Sequence, residues 1–179
     1  MGRFYVNIGS PPQYFHVLPS FKGQTIYVPI SDDCARLAVA DCGALRGVEI
    51  FNSKPSPGFQ TNASTTWSRL GIYELDIGRN FGLSGNTLYG YDTAGISLSS
   101  GAGDNITLNH QAVSAYATPD SWLGHLGLSN FAITVNETEK PPSVLQAMKD
   151  GNLIPSLSFG YQAGAAHRET CRLQYRSHG

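Results

Sequence analysis

Short runs of apolar and β-branched residues, separated by turns that contain Gly and Pro, recur along the chain. Residues 4–8 and 14–18 are rich in aromatic and β-branched side chains, and a Gly-Ser-Pro-Pro turn joins them. This composition suits the pleated, half-buried surface of a strand. Further strands are predicted at 25–28, 72–77, 88–98, 106–113 and 157–161. The pattern therefore predicts a mainly β fold.

A single helix is predicted, at 142–151. Ser143 is a suitable N-cap, Gln146 completes a capping box, and Gly151 fits the position after the last turn. Three residues at helical spacing form its apolar face: Val144, Leu145 and Met148. Residues 34–66, by contrast, have no periodic pattern and are predicted to be irregular.

Composition and charge limit the class of protein. The chain has 179 residues, 14% of them charged, and a net charge of −1. Few charges and many Gly and Pro favour a turn-rich β domain. The charge gives no electrostatic basis for binding nucleic acid or an anionic membrane, and no apolar run approaches the roughly 18–20 residues of a membrane span. No His and Cys residues have the spacing of a zinc site, so neither a metal nor a cofactor is expected.

Two motifs near the start of the chain carry a specific resemblance. The sequence IGSPPQ at 8–13 is followed, after a predicted strand, by IYVP at 26–29. They resemble the start of the pepsin-like aspartic peptidases, where such a hairpin precedes a strand that ends in a catalytic Asp-Thr-Gly-Ser loop. The resemblance covers residues 4–168, and SFGYQAGA at 158–165 is similar to fungal members. It implies the N-terminal lobe of that fold, a distorted β-barrel or sandwich with one short helix.

The catalytic position departs from the family. Counting back from Pro29 places Ser20, Phe21, Lys22 and Gly23 on the Asp-Thr-Gly-Ser positions. Aspartic peptidases need two carboxylates that share one proton and activate a water molecule. A serine hydroxyl cannot hold that charge, and Lys22 would place a cation nearby. The resemblance therefore implies a site without a catalytic residue.

Two later segments resemble other parts of the family's cleft. GYDT at 90–93 resembles the second strand of the flap hairpin, and its spacing places Asn80 near the position of the family's flap tyrosine. WLGHLGL at 122–128 resembles the segment behind the catalytic loop, with His125 in place of an apolar residue. The resemblance implies a remnant cleft that includes Ser20, Phe21, Lys22, Gly23, Asn80, Phe81, Leu126 and Gly127.

Two other candidate catalytic groups have weaker support. DTAG at 92–95 looks like an Asp-Thr-Gly loop, but it lies inside a predicted strand and has no paired second carboxylate. A Ser–His pair would need His16, which lies too far along the same strand from Ser20 for a reliable hydrogen bond. His16 and Asp92 are therefore expected to be ordinary strand residues.

The cysteines and the glycosylation motifs bear on the compartment. Cys34 and Cys42 lie close in sequence, and the resembled family carries a disulfide at this place, which implies a Cys34–Cys42 bond. Two free thiols in a reducing compartment are the alternative. Asn62, Asn105 and Asn136 each begin an Asn-x-Ser/Thr sequon. The family's secreted members imply an extracellular or secretory location with N-glycosylation, although no signal peptide precedes the first predicted strand.

Three functional hypotheses follow. The first is an inactive, secreted pseudo-peptidase that binds a peptide or another ligand in the remnant cleft. The second is an acid endopeptidase that needs a missing C-terminal lobe with a second catalytic Asp. The third is a truncated gene product with an exposed apolar surface. In each case residues 1–166 form the lobe, and residues 167–179 are predicted to be a disordered polar tail.

Overall fold

The computed structural model describes residues 4–74, 85–97, 105–118, 121–133, 135, 139–162 and 172–174. Its strands are β1 Phe4–Ile8, β2 Gln13–Ser20, β3 Ile26–Pro29, β4 Ser68–Glu74, β5 Asn86–Ser97, β6 Asn105–Tyr116, β7 Gly124–Gly127, β8 Gly160–Gln162 and β9 Arg172–Gln174. Its α-helices are α1 Ser31–Leu37, α2 Cys42–Leu45 and α3 Val144–Asp150, and a 3-10 turn spans Thr61–Ala63. Strands make up 43% and helices 16%, which confirms the prediction of a mainly β fold.

Six strands close into a barrel. The hydrogen-bonded order is β1-β2-β7-β3-β6-β5, and β5 pairs back onto β1 to complete the ring. Strand β4 lies outside the ring and pairs with the N-terminal half of β5, residues 86–91. Closure leaves no free edges along the ring, because every strand of it has two neighbours.

The interior of the barrel follows from alternation along its strands. In β1, Phe4, Val6 and Ile8 are buried, whereas Tyr5 between them is exposed. Phe15 and Val17 of β2 continue the same face. Removing this apolar surface from water is the main contribution to the stability of the fold.

Strand β7 lies between β2 and β3. It runs parallel to β2 and antiparallel to β3. Glycine begins and ends β7, and a Cβ at either Gly124 or Gly127 would lie 2.5 Å from a backbone carbonyl oxygen of the β3 region. The close approach of three backbones therefore requires glycine at both ends of β7.

Helix α3 agrees with the sequence prediction. The Ser143 side chain accepts a hydrogen bond from the Gln146 amide, and Gly151 follows the last helical residue. The three apolar residues predicted for one face, Val144, Leu145 and Met148, all join the barrel core. The capping signals and the helical spacing therefore predicted both the place and the orientation of this helix.

Two predictions about local structure are wrong. The described residues form three short α-helices, not one. Helix α2 lies within the segment 34–66, which was predicted to be irregular, and α1 begins just before that segment and extends into it. These helices are too short to show a period in the sequence. In the tail, which was predicted to be disordered, Arg172–Gln174 form β9 and pair with β8.

Candidate functional site: the loop after β2

The loop that follows β2 packs against the end of β7. Ser20 pairs with Gly127 across the parallel ladder, and the Leu128 amide donates to the Ser20 carbonyl oxygen at 2.8 Å. The Ser129 amide donates to the Gly23 carbonyl oxygen at 2.9 Å. Backbone hydrogen bonds thus fix both ends of residues 20–23 on the two residues that follow β7.

The hydroxyl of Ser20 is used inside the loop. The Gly23 amide donates to Ser20 Oγ at 3.0 Å. A Cβ at position 23 would lie 2.9 Å from the same oxygen, so a larger residue there would displace the Ser20 hydroxyl. Within the described residues, no carboxylate and no imidazole hydrogen-bonds to Ser20. In this part of the chain, the hydroxyl therefore has no base that would activate it and no carboxylate that would share a proton with it.

The histidine nearest to Ser20 in sequence has a different partner. His16 Nε2 lies 2.7 Å from Glu49 Oε1, on the outer face of β2. Within the described residues, no hydrogen bond joins His16 to Ser20, and His16 is a strand residue paired with Glu49.

An aromatic cluster lies beside the loop, and we define it as Phe4, Phe21, Phe159 and Tyr161. Phe21 is 57% exposed, and its ring stacks on Phe159 with 5.8 Å between centroids. Tyr161 contacts the Phe21 ring edge-on at 5.8 Å and the Phe4 ring at 6.1 Å. An exposed ring held by two others is a preorganised apolar contact surface. No pattern in the sequence predicts this cluster, since Phe4 and Phe21 lie far along the chain from Phe159 and Tyr161.

The structure brings together six of the eight residues assigned to the cleft. Ser20, Phe21, Lys22 and Gly23 form the loop, and Leu126 and Gly127 end the strand behind it. Leu126 is fully buried, so it supports the loop from the core and does not line a surface. Asn80 and Phe81 lie outside the described residues.

His125 is the polar residue of β7. It pairs with Leu18 on one side and Tyr27 on the other. Its Nδ1 is buried and has no hydrogen-bond partner in the described part of the chain. Burial lowers the pKa of His125 below its usual value of 6.5, because the protonated imidazole would lose its hydration.

Asp92 holds a polar junction at one end of the barrel. Its Oδ1 accepts hydrogen bonds from the Thr66 hydroxyl at 2.5 Å, the Thr93 amide at 2.8 Å and the Ser64 hydroxyl at 3.2 Å. Ser64 Oγ also accepts from the Ser10 amide at 3.1 Å. Asp92 therefore joins β5 to the β1–β2 turn and to the segment before β4, which is a structural task.

A buried ion pair joins α1 to the chain after α2, and sequence reasoning missed it. Arg46 is fully buried and donates to Asp33 Oδ2, and its other nitrogens donate to the carbonyl oxygens of Thr118, Ser121 and Trp122 at 3.1–3.2 Å. Next to it, burial raises the pKa of Tyr116 to about 12. The predicted Cys34–Cys42 disulfide is confirmed, with 5.6 Å between the Cα atoms, and it fastens the same two helices.

The sequons differ in what the structure describes of them. Asn62 lies on the 3-10 turn and is exposed. It borders an open groove of 630 Å³ that runs between α1 and residues 51–62 and includes no residue of the loop after β2. Asn105 is the first residue of β6, and Asn136 lies outside the described residues.

Comparisons with known proteins add no family. No family description matches the sequence, and no curated protein is significantly similar to it. In the described part of the chain, no three His, Cys, Asp or Glu side chains converge on a point where a metal ion could bind. None of its helices is long and apolar enough to cross a membrane.

Proposed function

We propose that the chain is a non-catalytic protein of the aspartic-peptidase type that binds a peptide or a similar extended ligand at the loop after β2. One observation carries this proposal: the position where such a peptidase needs a carboxylate has the Ser20 hydroxyl, which accepts a hydrogen bond from the Gly23 amide. A hydroxyl in that role neither carries a charge nor takes a proton from water at acid pH.

The surface around the loop supports binding. The exposed Phe21 ring is held between Phe159 and Tyr161, so little side-chain entropy is lost when a ligand packs against it. The exposed Lys22 beside it adds a positive charge. A peptide that has an apolar side chain close to a carboxylate would place the first against Phe21 and the second near Lys22.

Hydrolysis is the first test. Purified protein is incubated with fluorescein-labelled casein between about pH 3 and about pH 6, with and without pepstatin, while circular dichroism verifies that the fold persists. We expect no release of fluorescent peptides. Pepstatin-sensitive release would instead favour the acid endopeptidase.

Binding is the second test. Fluorescence anisotropy with fluorescein-labelled pepstatin and casein-derived peptides would measure the affinity of the protein and of Phe21→Ala. We expect the variant to bind about tenfold more weakly, equivalent to about 1.4 kcal/mol. Leu45→Ala, which removes an exposed apolar side chain from α2, is the matched control and should bind normally. Equal affinity of both variants would exclude the loop as the binding surface.

We further propose that the protein works in an oxidising, extracellular or secretory compartment. The Cys34–Cys42 disulfide and the exposed Asn62 sequon support this location. After expression in a secreting eukaryotic host, enzymatic deglycosylation should lower the mass, and Asn62→Gln should remove one glycan. A protein of unmodified mass would contradict glycosylation.

A further inference from the structure

Two buried acceptor oxygens lie opposite each other in the barrel wall. Asp92 of β5 and Gln111 of β6 are direct partners in the antiparallel ladder, and they are 1% and 2% exposed. Direct partners project to the same face, with their Cβ atoms about 4.5–5.5 Å apart. Asp92 Oδ2 and Gln111 Oε1 are both buried, and neither has a donor among the described residues.

The remaining polar atoms of the two side chains fix their orientation. Asp92 Oδ1 already accepts three hydrogen bonds, from Ser64, Thr66 and the Thr93 amide. Gln111 Nε2 donates to the Ala112 carbonyl oxygen at 3.3 Å. If the amide atoms of Gln111 were exchanged, its oxygen would face the Ala112 carbonyl oxygen, and these two acceptors would have no donor between them.

Gly9 lies next to the carboxylate. A Cβ at Gly9 would lie 3.4 Å from Asp92 Oδ2 and 2.8 Å from Ser64 Oγ. A larger residue at this position would therefore crowd the polar junction around Asp92. The ladder between β5 and β6 is also irregular here, because its register shifts between Asp92 and Ala94.

We infer that a small hydrogen-bond donor, either a water molecule or an ammonium-like monovalent cation, binds between Asp92 Oδ2 and Gln111 Oε1. One group that donates two hydrogen bonds satisfies both acceptors, whereas two buried acceptors cannot satisfy each other. The bound donor ties β5 to β6 at the irregular point of their ladder. It is thus an integral part of the polar junction around Asp92.

A high-resolution crystal structure of the unmodified chain tests the site directly. We expect a density peak within about 3.2 Å of both oxygens. Three results would overturn the inference: no peak, a direct hydrogen bond between the Asp92 and Gln111 side chains, or a donor supplied by another part of the protein. Because this measurement uses the unmodified chain, it does not depend on the folding of a variant.

Variants and buffers then identify the bound species. Gln111→Met should lose one long-lived water in oxygen-17 relaxation dispersion, whereas Gln13→Met should keep it, because both amide atoms of the buried Gln13 pair with the Gln60 backbone. If the species is a cation, ammonium chloride will raise the unfolding midpoint above that in tetramethylammonium chloride, and Gln111→Met will abolish this rise. Equal midpoints identify water. If Gln111→Met keeps both the long-lived water and the ammonium effect, the site is elsewhere.

Discussion

At the scale of single residues, three polar side chains with buried atoms decide how the protein responds to its surroundings. Asp92 has three donors on one oxygen, Arg46 is neutralised by Asp33, and His125 has a buried nitrogen without a partner. Buried polar groups that are satisfied stabilise a unique fold, whereas an unsatisfied one costs free energy when it becomes charged. His125 is therefore the residue at which pH should act.

Stability should fall in acid because of His125. Its pKa is lowered in the folded state, so the unfolded chain binds a proton more readily than the folded chain. The stability contribution is complete above pH 6.5 and is lost as the pH falls below that value. Urea unfolding between about pH 7.5 and about pH 5 should show this loss, and His125→Leu should reduce it.

The matched control is His110→Asn. His110 is an exposed residue with a positive φ of 56°, a conformation that Asn tolerates. Its pH dependence should equal that of the unmodified protein. If His125→Leu retains the full loss of stability in acid, another group is responsible.

At the scale of elements, local sequence signals account for helix α3, whereas tertiary contacts account for helices α1 and α2. Helix α3 has both a capping signal and an apolar face, and the sequence predicted it. Helices α1 and α2 depend on the Asp33–Arg46 pair and on the Cys34–Cys42 bond, neither of which leaves a periodic pattern. Sequence reasoning found helix α3 and the Cys34–Cys42 bond, and it missed the two short helices and the ion pair that joins them to the rest of the fold.

The N-cap of α3 should contribute measurably. Ser143→Ala removes the side-chain oxygen that accepts from the Gln146 amide at 3.3 Å, and we expect it to lower the free energy of unfolding by about 1 kcal/mol. Ser158→Ala makes the same chemical change at an exposed position and should cost less than about 0.5 kcal/mol. Chemical denaturation measures both values, and equal losses would argue against the cap.

The buried Asp33–Arg46 ion pair should contribute more to the free energy of unfolding than the N-cap of α3 does. Among the described residues, Arg46→Met leaves the buried Asp33 carboxylate with the exposed Arg36 as its one cationic partner, so we expect the free energy of unfolding to fall by about 3–5 kcal/mol. Arg36→Ala removes the exposed partner alone and should cost less than about 1 kcal/mol. Similar denaturation midpoints for the two variants would mean that Arg46 is not the main partner of Asp33.

At the scale of the whole molecule, one glycine maintains the joint of three strands. A Cβ at Gly127 would lie 2.5 Å from the Thr25 carbonyl oxygen and 2.6 Å from the Gly23 backbone. Backbone atoms cannot move aside as flexible side chains do, so Gly127→Ala should lower the free energy of unfolding by about 3 kcal/mol and disturb the loop after β2. Gly151→Ala, whose Cβ would meet its nearest atom at 3.3 Å, should change stability by less than about 1 kcal/mol. Thermal unfolding compares the two, and an unchanged midpoint for Gly127→Ala would contradict the tight joint.

The candidate site was predictable only in its backbone. The motifs around Pro29 and Gly127 indicated that the loop after β2 and the segment 122–128 are neighbours, and the parallel pairing of Ser20 with Gly127 agrees. The aromatic cluster could not be predicted, because Phe21 meets Phe159 only after the barrel has closed. Side chains that meet across such distances have no shared spacing in the sequence.

The position of β7 between β2 and β3 has a kinetic consequence. The two neighbours of β7, β2 and β3, are among the first strands in the chain. Gly127 of β7 pairs with Ser20, and about a hundred residues separate the two in the sequence. Closing that loop lowers the conformational entropy of the chain before the strand contacts can form. Because such contacts give the fold a high contact order, we expect folding to be slow. During synthesis, the edges of β2 and β3 that pair with β7 stay unpaired until β7 has left the ribosome. We expect the nascent chain to be most prone to aggregation during this interval.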